Sequence, residues 1–269
     1  MNMATPAVAI MTGYGINCDR ETAFAFEYAG ARPEIVHVND FIDTHKQLRD
    51  YQILVIPGGF SYGDDTGSGN ALANRIGPNL RDEVEGFVRD NDHLALGICN
   101  GFQVMVNLGL LPALNQRYGD RQVALVHNDS ARYLDRWVDL CIEKETPWTR
   151  GMTTLSLPIA HGEGKFYAPS SVLSELHKRN LVAFRYVQGE ISEYQHLPHN
   201  PNGSLEDIAG ITDETGRILG LMPHPERAIA FTHLPHWAFL KEQHKREGRN
   251  IPEEGPGLQM FKNAVIYFQ

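Results

Sequence analysis

Short apolar runs alternate with longer amphipathic stretches along this chain. Ala7 to Met11 is apolar throughout and is followed closely by Gly13, which predicts a buried strand. Asp19 to Ala29 has apolar residues at Ala23, Phe24, Phe26 and Ala29 and is followed by Gly30. It predicts a helix with Asp19 as N-cap and a glycine stop. Glu34 to Val38 and Ile53 to Ile56 predict two more strands, the second ending at Pro57-Gly58-Gly59. Leu80 to Val88 is helical in pattern. His93 to Leu96 then leads as a strand into Gly97-Ile98-Cys99-Asn100-Gly101, and Phe102 to Leu110 is amphipathic again. Strands alternating with helices predict an α/β fold, a mostly parallel sheet flanked by helices.

The pattern changes after residue 120. Gln122 to Ile142 alternates strand-like runs, such as 123–126 and 137–140, with polar turns, and predicts hairpins covering the sheet. Thr154 to Ala160, Leu181 to Val187, Ile208 to Thr212 and Ile218 to Met222 predict strands. The turn Asp213-Glu214-Thr215-Gly216 makes the last two a hairpin. Gln188 to Ser204 is polar and broken by Pro198, Pro201 and Gly203, as a surface loop is. Residues 231–256 predict a surface insertion with a short helix at Trp237 to Lys245, and Gly257 to Phe268 closes the chain as an amphipathic helix. No repeat or linker divides the chain, so one domain over 1–269 is expected.

Composition narrows the function. The 269 residues carry 24 Lys+Arg against 33 Asp+Glu, a net charge of -9, which argues against a general nucleic-acid binder. Three cysteines, Cys18, Cys99 and Cys141, with no C-x-x-C spacing suit neither a disulfide framework nor a zinc site. No signal peptide and no membrane-length apolar run is evident, so a reducing cytoplasm is the expected compartment. No G-x-x-x-x-G-K-[ST] loop is present, so no nucleotide site is expected.

The candidate chemistry centres on Cys99. G-x-C-x-G between a strand and a helix is the cysteine form of a nucleophile elbow. The thiol sits at a helix N-terminus, which favours negative charge. The local pattern alone suits a nucleophile and a buried structural cysteine about equally. Of twelve histidines, two follow strand ends: His224 in Met222-Pro223-His224-Pro225-Glu226, and His161 in Ala160-His161-Gly162-Glu163-Gly164. Glu226, two residues on, lies on the same side of an extended segment and would orient the His224 imidazole. Taken by itself the segment also suits a rigid exit turn; Cys99 favours the triad Cys99, His224, Glu226. The Gly59 and Asn100 backbone N–H groups are the expected oxyanion donors.

These segments together resemble the class I, triad-type glutamine amidotransferases. Within them they resemble the glutaminase subunits that feed ammonia to a separate ATP-dependent synthetase of purine biosynthesis. The resemblance is carried by 97–103, 15–21, 57–64, 128–133, 158–164 and 220–228. It implies a flavodoxin-like fold and attack of Cys99 on the side-chain amide of glutamine. It also implies contacts from Gln103 and Arg132 to bound glutamine. The α-carboxylate suits the Arg132 fork, although a surface ion pair for Arg132 and a solvated first-turn position for Gln103 stay open. The implied partners are a synthetase subunit, which would use ATP and magnesium on formylglycinamide ribonucleotide, and a small accessory subunit. No cofactor or metal is expected in this chain.

His161 and Glu163 are expected to shape the glutamine pocket or the partner interface rather than form a second catalytic pair. Cys18 and Cys141 are expected to be structural. The stretch Asp65-Thr66-Gly67-Ser68-Gly69-Asn70 departs from the family, which places an aromatic and a basic residue there. It is expected to border the ammonia exit or the partner. Two other functions compete: a free-standing cysteine hydrolase of another amide, and a glutamine-binding subunit without catalysis.

Overall fold

A computed structural model describes residues 5–64 and 66–269. The strands are β1 (Ala7–Thr12), β2 (Arg32–His37), β3 (Ile53–Ile56), β4 (Leu94–Ile98), β5 (Ala124–Val126), β6 (Leu134–Ile142), β7 (Thr154–His161), β8 (Lys165–Tyr167), β9 (Val182–Val187), β10 (Ile208–Thr212) and β11 (Ile218–Leu221). The helices are α1 (Asp19–Tyr28), α2 (Val38–Ile42), α3 (Asn70–Arg89), α4 (Asn100–Asn107), α5 (Ser170–Lys178), α6 (Glu190–Gln195), α7 (Trp237–Arg246) and α8 (Leu258–Ile266).

The main sheet has the order β2-β1-β3-β4-β11-β10-β9-β6-β7. The five strands from β2 to β11 run parallel, and each later pairing is antiparallel. The mostly parallel sheet with added antiparallel strands agrees with the sequence reading. Strands β3, β4 and β11 are buried at every position, which is why they are continuous apolar runs without alternation. In register, Ile56 lies beside Gly97 and Leu221 beside Ile98. The ends of β3 and β11 therefore flank Cys99, at the carboxyl edge where open α/β sheets bind ligands.

Several expectations are corrected. Helix α3 begins at Asn70, ten residues before the expected start, and carries Pro78 inside it. Leu72, Ala73 and Ile76 are buried, so tertiary packing outweighs the local breaker. Cys18, not Asp19, is the N-cap of α1; the Asp19 carboxylate instead accepts from Thr12 Oγ1 at 2.6 Å. The strands within 122–142 do not form hairpins covering the sheet. β6 and β7 extend it, and only β5 pairs apart, with β8. The segment 188–204 is no simple surface loop: Ser192 N and Oγ each donate to Asp139 Oδ2 at 2.8 Å, seating α6 with Ile191 and Ser192 buried. Helix α7 appears where expected and buries none of its residues.

The antiparallel half curls back over the carboxyl edge. His224 N donates to Pro158 O of β7 at 2.8 Å, and Cys99 Sγ lies 3.6 Å from Ala160 O of the same strand. The outermost strand thus forms a wall of the site opposite α4.

Two glycines allow the turn between β4 and α4. A Cβ on Gly101 would stand 1.7 Å from Ile56 O, and one on Gly97 would meet Gly101 O at 2.8 Å. Both contacts are with backbone, which cannot step aside. Gly101→Ala is expected to destabilise the fold by about 3 kcal/mol or more through overpacking. In calorimetry this appears as a fall of roughly 5–10 °C in Tm.

Candidate active site

Cys99 is the residue between strand β4 and helix α4. Its φ of 51° and ψ of -105° place a non-glycine residue in a strained conformation. The turn is held from both sides: Cys99 N donates to Leu221 O at 2.8 Å, and Cys99 O accepts from Gln103 N at 3.1 Å. The side chain is buried, 4% exposed.

His224 and Glu226 follow β11. His224 is extended, but residues 225–227 form a single 3-10 turn. The pair therefore meets across a turn, and not along an extended segment as the spacing suggested. His224 Nδ1 and Glu226 Oε1 are 2.6 Å apart, and both residues are 1% exposed. Burial alone would push the imidazolium pKa down. The Glu226 carboxylate, then the Cys99 charge and the nearness of the Cys18 and Cys99 sulfurs, outweigh it and hold His224 well above the ordinary histidine value. With Nδ1 engaged by Glu226, Nε2 has no partner among the described residues. It is the nitrogen left for a reacting group.

The loop after β3 forms a second wall. Gly59 has φ of 152° and bridges Ile16; a Cβ there would lie 2.6 Å from Gly15 O. Phe60 N donates to Gly15 O at 2.8 Å and Cys18 N to Gly58 O at 3.2 Å, so the glycine turn is fixed to the β1–α1 connection. Asn100 opens α4, where first-turn N–H groups have no intrahelical acceptor. Phe60 and Tyr133, with ring centroids 5.9 Å apart, stand exposed nearby. Burial, then the Cys99 charge, raise the Tyr133 phenol pKa.

The two residues expected to touch glutamine are placed differently. The Gln103 carboxamide is buried and used at both ends: Oε1 accepts from Asn100 Nδ2 at 3.0 Å, and Nε2 donates to Glu163 O at 2.5 Å. It ties α4 to the 161–164 segment. Arg132 is exposed, and its backbone, through Arg132 O accepting from Asn128 Nδ2 at 2.9 Å, shapes the turn that carries it. No ion pair of its side chain is found among the described residues.

Cys18 was missed as a site neighbour. Its sulfur, a ring nitrogen of His224 and a Glu226 oxygen lie within 4.8 Å of one another. Arg227 Nη2 donates to Cys18 Sγ at 3.0 Å. Burial raises the Cys18 pKa despite the opposing effect of His224. Three such donors could hold a soft metal ion in principle. Here the guanidinium occupies the sulfur, and His224 Nδ1 and Glu226 Oε1 are taken up by each other. The signal was in the sequence, since 15–21 carried part of the family resemblance.

His161 faces the opposite electrostatic demand. It is 3% exposed, and its Nδ1 lies 3.1 Å from Asn128 Oδ1, which also accepts from Gly164 N at 3.1 Å. Burial, then repulsion from His224, push its pKa down to about 3. Of the unusual loop, Asp65 lies outside the described residues. Gly69 packs against α4, where a Cβ would be 2.8 Å from Val104 N. Among the described residues no helix is long and apolar enough to cross a membrane.

In a histidine NMR titration, His161 is expected to stay neutral down to about pH 3. His224 is expected to keep its proton above the ordinary range, and Glu226→Gln to lower that titration. The unfolded chain protonates His161 near 6.5, so its share of stability is full above that value. That share is lost progressively as pH falls from 6.5 towards 3.

The chain matches the CobB/CobQ-like glutamine amidotransferase domain over residues 5–268. It is 50% identical over 271 residues to phosphoribosylformylglycinamidine synthase subunit PurQ of Methanococcus maripaludis, covering 98% of each chain. It is 39% identical over 265 residues to the PurQ subunit of Dehalococcoides mccartyi, again covering 98% of each. Among solved structures, PurLQS from Thermotoga maritima superposes with a TM-score of 0.71 at 29% identity, over 99% of this chain and 100% of that one. A strained cysteine elbow, a buried histidine–glutamate pair and a match along nearly the whole length agree: this chain belongs to the CobB/CobQ-like glutamine amidotransferase family.

Proposed function

We propose that this chain is the glutaminase subunit of phosphoribosylformylglycinamidine synthase, hydrolysing glutamine to glutamate and ammonia. The observation that carries the reading is the buried His224–Glu226 pair beside the strained Cys99 elbow. The PurQ names of full-length relatives support the pathway.

His224, held protonated by Glu226, already carries the proton of the Cys99 thiol on Nε2, and the sulfur attacks the side-chain carbonyl carbon of glutamine. The carbonyl oxygen, gaining charge, is met by the Gly59 and Asn100 backbone N–H groups. The imidazolium, stabilised by Glu226, returns its proton to the leaving nitrogen, and ammonia departs from a γ-glutamyl thioester. Water, deprotonated by the same imidazole, attacks that thioester, releasing glutamate and restoring the thiol. Gly59 and Asn100 are fixed before substrate arrives, so no reorganisation is needed at the moment of attack. Arg132, on the exposed turn at the mouth, serves the α-carboxylate in this reading, and Gln103 supports α4 from behind.

The ammonia is consumed by a synthetase subunit that converts formylglycinamide ribonucleotide to formylglycinamidine ribonucleotide with ATP and magnesium. A small accessory subunit completes the complex. The similarity to the PurLQS structure supports partners of this kind. The chain itself needs no cofactor, and the compartment is the cytoplasm.

The test is glutamate release from glutamine by the chain alone and with the synthetase subunit, ATP and formylglycinamide ribonucleotide. Cys99→Ala is expected to abolish release, and the synthetase mixture to stimulate it. Glu226→Gln is expected to lower kcat by roughly 10²–10⁴-fold with little change in KM. Glutamate release unaffected by Cys99→Ala would overturn the reading. Turnover of a different amide without any partner would favour a free-standing hydrolase.

A further inference from the structure

One motif of the sequence, Glu163 in Ala160-His161-Gly162-Glu163-Gly164, has no part in the chemistry above. We propose that Glu163 is a positioning residue: through Ser68 it latches residues 61–64 and 66–69 onto the first turn of α4 and so fixes the backbone that flanks the oxyanion site. The inference rests on the glutaminase reading for its effect on rate, but not for the latch itself.

The segment that follows the glycine turn is held in an unfavourable conformation. Tyr62, Gly63 and Asp64 have φ of 57°, 76° and 57°, three left-handed residues in succession. Left-handed backbone is costly for non-glycine residues and persists only where surrounding contacts over-determine it.

The contacts form a closed circuit. Ser61 N donates to Asn100 Oδ1 at 3.3 Å, and Asn100 Nδ2 donates to Gln103 Oε1 at 3.0 Å. Gln103 Nε2 donates to Glu163 O at 2.5 Å. The Glu163 carboxylate accepts from Ser68 N at 3.2 Å, and Ser68 Oγ donates to Asp64 Oδ2 at 3.0 Å, returning to the strained segment. Asn107 Nδ2 adds a bond to Ser68 O at 3.3 Å, and Gly69 seats directly on the Gln103–Val104 backbone.

Glu163 differs from the other members of the circuit in origin and exposure. It is supplied by the chain just beyond β7, in the curled-back half of the sheet, whereas Asn100, Gln103 and Asn107 are on α4 itself. Its backbone holds α4 and its side chain, through Ser68, holds residues 61–64 and 66–69, so one residue joins all three walls of the site. Its second carboxylate oxygen faces the exposed His127 ring at 3.6 Å, with 18% of the Glu163 side chain open to solvent. Removing the carboxylate frees Ser68 N and leaves the left-handed residues without that restraint. The α4 tie through the Glu163 carbonyl survives.

The experiment compares Glu163→Ala and Glu163→Gln with the wild type in the full chain. Amide hydrogen exchange reads the latch without reference to activity. Steady-state glutaminase kinetics with the synthetase subunit read its consequence. Glu163→Ala is expected to speed exchange at 61–64 and 66–69 about tenfold or more, with the core strands unchanged. It is also expected to lower kcat by roughly 10–10²-fold with KM nearly constant. Glu163→Gln, which keeps an acceptor for Ser68 N, is expected to restore most of both. Unchanged exchange in Glu163→Ala overturns the latch. Faster exchange with unchanged kcat overturns the positioning role, and a change confined to KM reassigns Glu163 to the glutamine pocket. Equal damage from both variants also overturns it, because charge and not the acceptor would then be what counts. A wild type that releases no glutamate with its partner defeats the glutaminase reading, and exchange alone then decides the latch.

Discussion

The close contact between α4 and the strands beneath it is the constraint on which the site depends. Gly101 lies against the Ile56 carbonyl, and Gly97 lies under Gly101, leaving no room for a side chain at either position. Because the helix starts at that distance, Cys99 has to turn through a left-handed φ and lift its sulfur above the carboxyl edge. The same contact brings Asn100 level with the glycine turn after β3. Donors and nucleophile are therefore set by one backbone approach, and the hydrogen bonds around them secure a geometry that sterics has already imposed.

Electrostatics then separates two buried histidines. His224 and His161 are both within the same carboxyl-edge cluster, and both are almost fully buried. Only His224 has a carboxylate against it, so it is held in the protonated direction. His161 has a neutral carboxamide on Nδ1 and the charge of His224 nearby, and is held neutral. The difference comes from a single partner choice, Glu226 in one case and Asn128 in the other. A second charge at His161 would oppose the charge held on His224, so its neutrality favours the protonated pair beside Cys99.

Much of this was legible in the sequence, for physical reasons that differ by element. Strands β3, β10 and β11 were found almost to the residue because fully buried strands are uninterrupted apolar runs with sharp ends. The elbow was legible because its glycines have no alternative. Helix α3 was only half read, since Gly77 and Pro78 carry local signals that tertiary packing overrides. The placement of Gln103 was not legible: a glutamine on the first turn looks the same whether its amide faces a ligand or is tied between Asn100 and Glu163. Cys18 next to His224 is likewise a product of how β1 and β3 pair, which no local pattern encodes.

The return of β7 to the carboxyl edge has a consequence for biogenesis. The wall against Cys99 comes from residues 158–161, and the His224–Glu226 pair comes more than a hundred residues after the cysteine. A chain emerging from the ribosome exposes the thiol long before its imidazole has been made. The strand that carries the imidazole, β11, must also insert between β4 and β10. Contacts of such long sequence separation form late in folding. The cysteine thus meets its histidine only when the sheet closes, and the site arrives together with the finished fold rather than with the residue at its centre.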